Sequence, residues 1–446
     1  MKPHNFPVWP LILSLFAFFA LTAALVASVP LGKSPDEAAH WQYVEHITQV
    51  GRLPVFKGAA PPAPGYEFHQ PPLYYLLSAP AWKVGGAGVQ NYACRAVSLL
   101  CGLLTIGVIW SAARLVFPRN FRVAAVAAGF AALFPMHQAV SAGSNNDSLA
   151  GLLAAMLFFL MAQIALSGAA RRAVWQLGVV AGLSILTKNT LLVLVFVGFI
   201  ALLSSTKKPN TKIELLPALG ISLGITFALS GAWLWRNQSL YGDPLALGAF
   251  SAAATAGTPG FPEFSAVLGF FAYARGLGWM IFLTAWGFFG GPSGAVAASG
   301  PLSASGPRVT QLELAPLMLL CLLVPLGAVL GWRRIKNQEA QQEVHFETAD
   351  FVASDAAISN RKTLFKVWRW GVALIIVAWA QFAYAHFSGG QARYLHGALL
   401  PFCVLGAAGW VGLWGQGRAL KIASFLVGAA LVLLTLLNVF NWKALD

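Results

Sequence analysis

The sequence predicts an all-α integral membrane protein with about eleven transmembrane helices. The first observation is composition: 58% of the 446 residues are hydrophobic and 10% are charged, whereas charged residues make up about 25% of a soluble domain. The second observation is the length of the apolar runs, about 16–24 residues, which suits helices that cross a bilayer. The strands of a membrane barrel would instead alternate in polarity over about ten residues.

The predicted spans follow the apolar runs along the chain. We place them near residues 8–31, 94–117, 123–141, 148–168, 173–188, 190–205, 214–235, 312–331, 367–386, 396–415 and 419–441. The first run, from Val8 to Val29, is longer than the apolar part of a signal peptide. It is therefore predicted to remain in the protein as its first span.

The net charge of +14 indicates membrane topology and not nucleic-acid binding, because the basic residues are clustered between the apolar runs. Such clusters are typical of cytoplasmic loops. With the N-terminus inside, every cluster falls on the cytoplasmic side of a plasma membrane, and the C-terminus falls outside. The clusters are Arg114, Arg119 and Arg122; Arg171 and Arg172; Lys207, Lys208 and Lys212; Arg333, Arg334 and Lys336; and Arg418 and Lys421.

This topology predicts a single membrane domain over residues 1–446, with two large outer loops. The first, 32–93, is predicted to contain amphipathic juxtamembrane helices. The second, 237–311, is predicted to contain interfacial or re-entrant helices, or two short spans. The cytoplasmic loop 332–366 shows no catalytic pattern. The cysteines lie in or beside apolar runs and form no CxxC pair, so they indicate neither a disulfide nor a metal site: Cys94, Cys101, Cys321 and Cys403.

The first outer loop begins with candidate catalytic acids. Ser34 suits a helix N-cap, Pro35 suits the first helical position, and Glu37 would complete a capping box with Ser34. A cap uses one carboxylate, so Asp36 is left free at the membrane surface. His40 follows one turn later and can share the face of these acids.

Polar residues also mark the outer ends of later spans. Asp147 begins a predicted span, where helix capping alone could account for it. Lys188 stands at the outer end of a tight helical hairpin. Arg393 lies at the membrane edge without an acidic neighbour in the sequence; it could snorkel to the headgroups or bind an anion. His69 and Gln70 precede a proline turn at membrane depth and are candidates for substrate contact.

Eight short motifs resemble those of the GT-C membrane glycosyltransferases, in the branch of the protein mannosyltransferases and lipid A aminoarabinose transferases. They occur in order between about residues 30 and 400, all on the predicted outer side. The motifs are Pro-Asp-Glu-Ala-Ala-His at 35–40, Gly-Arg-Leu-Pro-Val at 51–55, His-Gln-Pro-Pro-Leu-Tyr-Tyr at 69–75, Asn-Asn-Asp-Ser-Leu at 145–149, Gly-Leu-Ser-Ile-Leu-Thr-Lys at 182–188, Trp-Arg-Asn at 235–237, Tyr-Gly-Asp-Pro-Leu at 241–245 and Gln-Ala-Arg-Tyr-Leu at 391–395.

The resemblance implies a polyprenyl-phosphate sugar donor, a lipid, glycan or protein acceptor on the outer side, and inversion at the sugar carbon. It implies that Asp36 is the base or the acceptor-orienting acid, with Glu37 and Asp147 as further acids of the site. The leaving phosphate requires cations, with Arg393 as the first choice. The other candidate substrate contacts are Lys188, Arg52, Lys57, Arg236, His40, His69, Gln70 and Tyr394.

The resemblance requires no cofactor, although Asp36, Glu37, His40 and His69 could assemble a divalent metal site. Three other functions stay open at this stage. One is a ligase or polymerase that uses a lipid diphosphate oligosaccharide, and another is a non-catalytic accessory protein of envelope polysaccharide assembly. The third is a transporter, which the scarcity of acids inside the predicted spans disfavours.

Overall fold

The computed structural model describes residues 7–60, 63–118, 120–205, 214–257, 259–287, 324–331, 333, 351–413 and 418–443. The regular secondary structure of these residues is helical, as predicted. The α-helices are α1 (Trp9–Ser28), α2 (Glu37–Val50), α3 (Leu73–Gly85), α4 (Gln90–Val116), α5 (Phe121–Leu133), α6 (Pro135–Ala142), α7 (Asn146–Ser167), α8 (Arg171–Ile185), α9 (Leu192–Ser205), α10 (Leu215–Tyr241), α11 (Leu247–Gly257), α12 (Phe261–Leu268), α13 (Phe270–Ala285), α14 (Phe351–Ala385), α15 (Leu399–Leu413) and α16 (Arg418–Lys443).

Within the described part of the chain, 6 helices are long and apolar enough to cross a membrane, and a bent pair of helices makes 7. Helices such as α8, with 15 residues, are shorter than the ~20 residues that a span usually needs. Most of the predicted span 312–331 lies outside the described residues. The chain is therefore a multi-pass membrane protein, and the count of about eleven spans stays a prediction.

The bent pair is α5 and α6, which replace the single straight span predicted at 123–141 and meet at 54°. Phe134, between them, is extended because Pro135 disfavours a helical conformation in the residue before it. The break frees backbone carbonyls, and Gln138 Nε2 donates to Ala132 O at 2.7 Å. Membrane helices tolerate a proline break where a side chain satisfies the backbone in this way.

Helix α7 lies at the centre of the fold. Seventeen of its 22 residues are buried, and it packs against α4, α8, α9 and α14. Its N-terminus lies beside the start of α2, the α8–α9 connection and the 3₁₀ helix Ala392–Ala398. Polar residues from these distant stretches of chain therefore meet at one end of the central helix.

Two predicted helix starts were wrong. Helix α2 begins at Glu37 with Asp36 as its N-cap residue, and no capping box forms with Ser34. Helix α7 is capped by Asn145, whose side chain accepts from Ser148 N at 3.1 Å, so Asp147 is not the cap. Residues 351–366 of the predicted cytoplasmic loop 332–366 are helical and continuous with the next span, and the side of the membrane assigned to this loop stays a prediction. Helix α2 is followed by Gly51 as its C-cap residue, with a left-handed φ of 70°.

The second outer loop, 237–311, is described as far as residue 287 except for residue 258. It contains α11, α12 and α13, of which α13 is a short apolar helix. Its position at the membrane interface stays a prediction, as do the sides of the membrane assigned to the loops. Cys94, Cys101 and Cys403 are buried free thiols, and Cys321 lies outside the described residues.

Candidate active site

The start of α2 is held in place by a buried ion pair between Glu37 and Arg95 of α4. Arg95 Nη2 and Nε lie 2.7 Å and 2.8 Å from the two Glu37 carboxylate oxygens, and both side chains are 0% exposed. Arg95 also donates to Val26 O and Val29 O at the end of α1. Glu37 accepts from Ser144 N at 2.9 Å. The partners of the Glu37 carboxylate are therefore Arg95 and a backbone N–H of the protein, so Glu37 has a structural role beside the site.

Asp36 directly precedes Glu37, so the ion pair between Glu37 and Arg95 also holds the backbone of Asp36 in place. Its φ of 60° lies in the left-handed region, which Asp adopts more readily than most residues. Arg393 Nη2 donates to Asp36 Oδ2 at 2.5 Å, and the Tyr66 hydroxyl donates to Asp36 Oδ1 at 2.5 Å. Burial alone would raise the pKa of Asp36, but Arg393 and Tyr66 hold that pKa below its usual range.

Asp147 lies in the first turn of α7 and faces two cations. Lys188, from the α8–α9 connection, makes a short ion pair with Asp147 Oδ1. Arg393 Nη1 lies 3.5 Å from Asp147 Oδ2. Arg393 therefore bridges the two acids, Asp36 and Asp147, that the sequence placed 111 residues apart. The result is a chain of alternating charges, Asp36–Arg393–Asp147–Lys188.

Tyr394 supports both cations. Its ring centroid lies 5.0 Å from the Arg393 guanidinium and 5.4 Å from Lys188 Nζ, distances at which a cation is attracted to an aromatic face. Its hydroxyl accepts from Arg393 Nη2 at 3.1 Å. Within the described residues, Arg393 Nε is buried without a hydrogen-bond partner, so one donor of this guanidinium is free.

A cleft of about 570 Å³ opens beside these charges. Its polar end is formed by Asp147, Lys188, Arg393, Tyr394 and His396. Its wall is mostly apolar and comes from α9, the connection before it, and α14: Leu191, Leu194, Ile375, Ala378, Trp379 and Phe382. The cleft thus combines two cations at one end with an apolar wall that suits a hydrocarbon chain.

The three polar candidates of the first loop lie close by but are engaged with protein groups. His40 Nδ1 lies 2.9 Å from the Tyr75 hydroxyl, and burial lowers the pKa of His40. His69 Nδ1 lies 2.7 Å from Tyr66 O, and burial lowers the pKa of His69 to about 4. Gln70 Oε1 accepts from Asn146 Nδ2 at 3.1 Å, which ties the first loop to α7.

The remaining candidate cations do not join the charge chain. Arg52 and Lys57 are exposed and do not line the cleft. Arg236 Nη2 donates to Pro54 O at 2.6 Å and stacks over Trp233, so it fastens the first loop to α10. Of the five cations considered from the sequence, the structure brings Arg393 and Lys188 together.

The four residues considered for a metal site have separate partners. Asp36 binds Arg393, Glu37 binds Arg95, His40 contacts Tyr75 and His69 contacts Tyr66 O. Among the residues that the structure describes, no group of three or more His, Cys, Asp or Glu side chains is placed to hold a metal ion. The sequence-based metal site is therefore not assembled in this arrangement.

Residues 69–235 match the model of the dolichyl-phosphate-mannose-protein mannosyltransferase family. The apo structure of the Archaeoglobus fulgidus oligosaccharyltransferase is similar, with a TM-score of 0.53, 14% identity, and coverage of 98% of this chain and 55% of that chain. The chain has the GT-C fold. The resemblance stated from the motifs is thereby confirmed, and the chain spans about half the length of that oligosaccharyltransferase.

Two further solved structures are similar to this chain. The Archaeoglobus fulgidus oligosaccharyltransferase in complex with Zn and sulfate has a TM-score of 0.49 and 15% identity, and covers 97% of this chain and 53% of its own. ArnT from Cupriavidus metallidurans bound to undecaprenyl phosphate has a TM-score of 0.39 and 17% identity, with coverage of 90% and 76%. No curated protein sequence matches the chain.

The sequence did not identify several residues in and around the site. Arg95 was visible as an ionisable residue inside the predicted span 94–117, a position that usually marks a functional or buried partner. Tyr66 gave no signal, because nothing in its surroundings predicts the hydrogen bond to Asp36. Glu67 is buried with Oε2 unpartnered among the described residues, and burial raises its pKa. His137 Nδ1 and His396 Nε2 lie 2.9 Å apart, and His396 lines the cleft.

Proposed function

We propose that the protein is an inverting membrane glycosyltransferase that moves a sugar from a polyprenyl-phosphate donor to an acceptor on the non-cytoplasmic side of the plasma membrane. The observation that carries the proposal is the position of Arg393, which bridges Asp36 and Asp147 at the polar end of an apolar cleft. The family match of residues 69–235, to enzymes named for a dolichyl-phosphate-mannose donor, supports the class of donor.

The cleft has the polarity that such a donor needs. The phosphate would lie at the polar end, where Arg393 and Lys188 supply two cations and Arg393 Nε offers a free donor. Arginine binds phosphate through two parallel N–H groups, and Tyr394 orients the guanidinium. The polyprenyl chain would follow the apolar wall toward Ile375 and Trp379. Burial of the polyprenyl chain against this wall would contribute about 25 cal/mol per Å² of apolar surface.

Asp36 is assigned to the acceptor. An acceptor hydroxyl or amine attacks the sugar carbon from the side opposite the phosphate, a new bond to that carbon forms, and the carbon–oxygen bond to phosphate breaks. The electron pair of the broken bond leaves on the phosphate oxygen, where the charge is stabilised by Arg393 and Lys188. The proton of the acceptor passes to Asp36.

The low pKa of Asp36 keeps the carboxylate ionised and therefore able to accept a proton, but it also makes Asp36 a weak base. Proton transfer is accordingly assigned to a late stage, after the bond to phosphate has largely broken and the acceptor has become acidic. Before that stage Asp36 orients the acceptor by accepting its hydrogen bond. Glu37 and Arg95 act as positioning residues, because they fix the backbone that presents Asp36.

A donor panel tests the proposal. Purified protein in nanodiscs is incubated with radiolabelled polyprenyl-phosphate monosaccharides and, separately, with polyprenyl-diphosphate oligosaccharides, and the released lipid phosphate is measured with and without exhaustive chelation. Consumption of one monophosphate donor supports the proposal and names the sugar. Consumption of a diphosphate donor alone would favour the ligase-type enzyme, and no consumption by folded protein would favour an accessory protein. Loss of turnover on chelation would reveal a metal requirement.

A further inference from the structure

The acid Asp147 is held by the same two cations that the proposed donor phosphate needs. Lys188 makes its short ion pair with Asp147 Oδ1, and Arg393 Nη1 lies 3.5 Å from Asp147 Oδ2. All three side chains line the cleft and are nearly buried, with exposed fractions of 8% for Asp147, 12% for Lys188 and 7% for Arg393. An anion that enters the polar end must therefore share these cations with Asp147.

The charges at this end of the cleft balance without a ligand. Asp36 and Asp147 supply two negative charges, and Arg393 and Lys188 supply two positive ones. A buried cation without a partner is costly, so a cleft that held Arg393 and Lys188 without Asp147 would be destabilised. When phosphate arrives, however, a third negative charge joins two cations, and one carboxylate has to give up part of its contact.

Of the two carboxylates that contact Arg393, Asp147 makes the weaker contact. Asp36 is 2.5 Å from Arg393 Nη2, whereas the Asp147 contact to Nη1 is longer, at 3.5 Å. Asp147 also lies in the first turn of α7, directly after its N-cap residue Asn145. The positive end of the helix dipole stabilises an acid in that position, so Asp147 keeps a favourable environment after Lys188 turns away.

We propose that Asp147 occupies the place of the phosphate while the cleft is empty, and that donor binding transfers Lys188 and one arm of Arg393 from Asp147 to the phosphate. This inference rests on the proposed function. It makes Asp147 a positioning residue that keeps the cations buried and oriented between turnovers. Because Asp147 competes for the same cations, the cleft binds every phosphate ligand more weakly than the cations alone would.

The test measures binding of a short-chain polyprenyl phosphate without a sugar, so that no contact between Asp147 and the sugar contributes. The protein in nanodiscs is compared as wild type, Asp147→Asn and Asp147→Glu. Asp147→Asn removes the competing charge at nearly constant size, and its dissociation constant is expected to fall about fivefold or more. Asp147→Glu keeps the charge and is expected to bind as weakly as wild type. Glu45→Gln removes an exposed charge from α2 and should leave binding unchanged.

The outcomes separate this inference from the proposed function. If wild type binds the lipid phosphate and Asp147→Asn binds equally or more weakly, the placeholder role is overturned while the proposed function stands. If neither wild type nor Asp147→Asn binds, the proposed function fails and this inference fails with it. If Asp147→Asn shows no cooperative unfolding transition and is therefore not folded, Asp147→Ala serves as the second neutral variant.

Discussion

Arg393 and Asp36 lie 357 residues apart in the sequence, yet Arg393 Nη2 is 2.5 Å from Asp36 Oδ2. One residue comes from the 3₁₀ helix before α15 and the other from the start of α2. Their contact joins the first outer loop to the segment that precedes α15. The proposed acceptor acid and the proposed phosphate-binding cation are therefore coupled through one ion pair.

Arg393→Lys is expected to lose most transfer activity while membrane insertion stays unchanged. Lysine keeps the charge but cannot reach Asp36 and Asp147 with separate nitrogen atoms, nor bind phosphate through two parallel N–H groups. We expect a fall in kcat of about 100-fold or more, the range seen when one donor to a developing charge is removed. A fully active Arg393→Ala protein would rule out the role of Arg393.

Glu37→Gln and Arg95→Leu are each expected to lower the free energy of unfolding by about 3–5 kcal/mol, because each leaves the partner charge buried and unpaired. Unfolding in detergent, followed by circular dichroism or a thiol-reactive probe, measures the loss. Glu45→Gln, at an exposed position of α2, is the matched control and should change stability by less than about 0.5 kcal/mol. Equal stability of Glu37→Gln and Glu45→Gln would contradict the buried ion pair.

Gly151→Ala is expected to destabilise the protein and disturb the cleft. A Cβ atom at residue 151 would lie 2.5 Å from Nδ1 and Cε1 of His396, so the imidazole, which contacts His137, would have to shift. We expect a cost of about 1–3 kcal/mol, as for other overpacked sites. Gly107→Ala is the matched control: its Cβ meets nothing within 4 Å. A melting temperature for Gly151→Ala equal to that of Gly107→Ala would refute the close approach.

His69 is expected to make stability depend on pH below neutrality. Burial lowers its pKa from 6.5 to about 4, so the unfolded chain binds a proton more readily than the native protein in that interval. The contribution is fully present above pH 6.5 and is lost as the pH falls toward about 4. His69→Gln should make the melting temperature fall less steeply over this interval. Identical pH profiles for wild type and His69→Gln would contradict the assignment.

The helical membrane fold could be predicted from the sequence because it depends on local signals, and local signals also marked Asp36 and Asp147 as candidates. Apolar runs identify membrane helices, and an acid directly after a span is conspicuous in an otherwise uncharged chain. The number of spans was harder to predict, because Pro135 divides one predicted span and α8 has only 15 residues. Short and broken helices are stabilised by neighbouring helices, and hydropathy does not show that packing.

The partners of the site residues could not be predicted, because each ion pair joins distant segments. Nothing near Arg393 in the sequence indicates Asp36, and nothing near Glu37 indicates Arg95. Asp36 and Glu37 were therefore both expected in the site, from their position and from the family resemblance, although the Glu37 carboxylate is bound by Arg95 and Ser144 N. Arg52, Lys57 and Arg236 were considered with Arg393 for the same reason, since charge alone does not reveal which cation faces the cleft.

The most direct test of the account compares wild type with Asp36→Asn in the transfer assay, using the donor that the wild type consumes. Asparagine keeps the size of the side chain and removes the charge that binds Arg393 and accepts the proton. We expect both proteins to fold and the turnover of Asp36→Asn to fall about 100-fold or more. Turnover of Asp36→Asn equal to that of wild type would contradict the central role of Asp36.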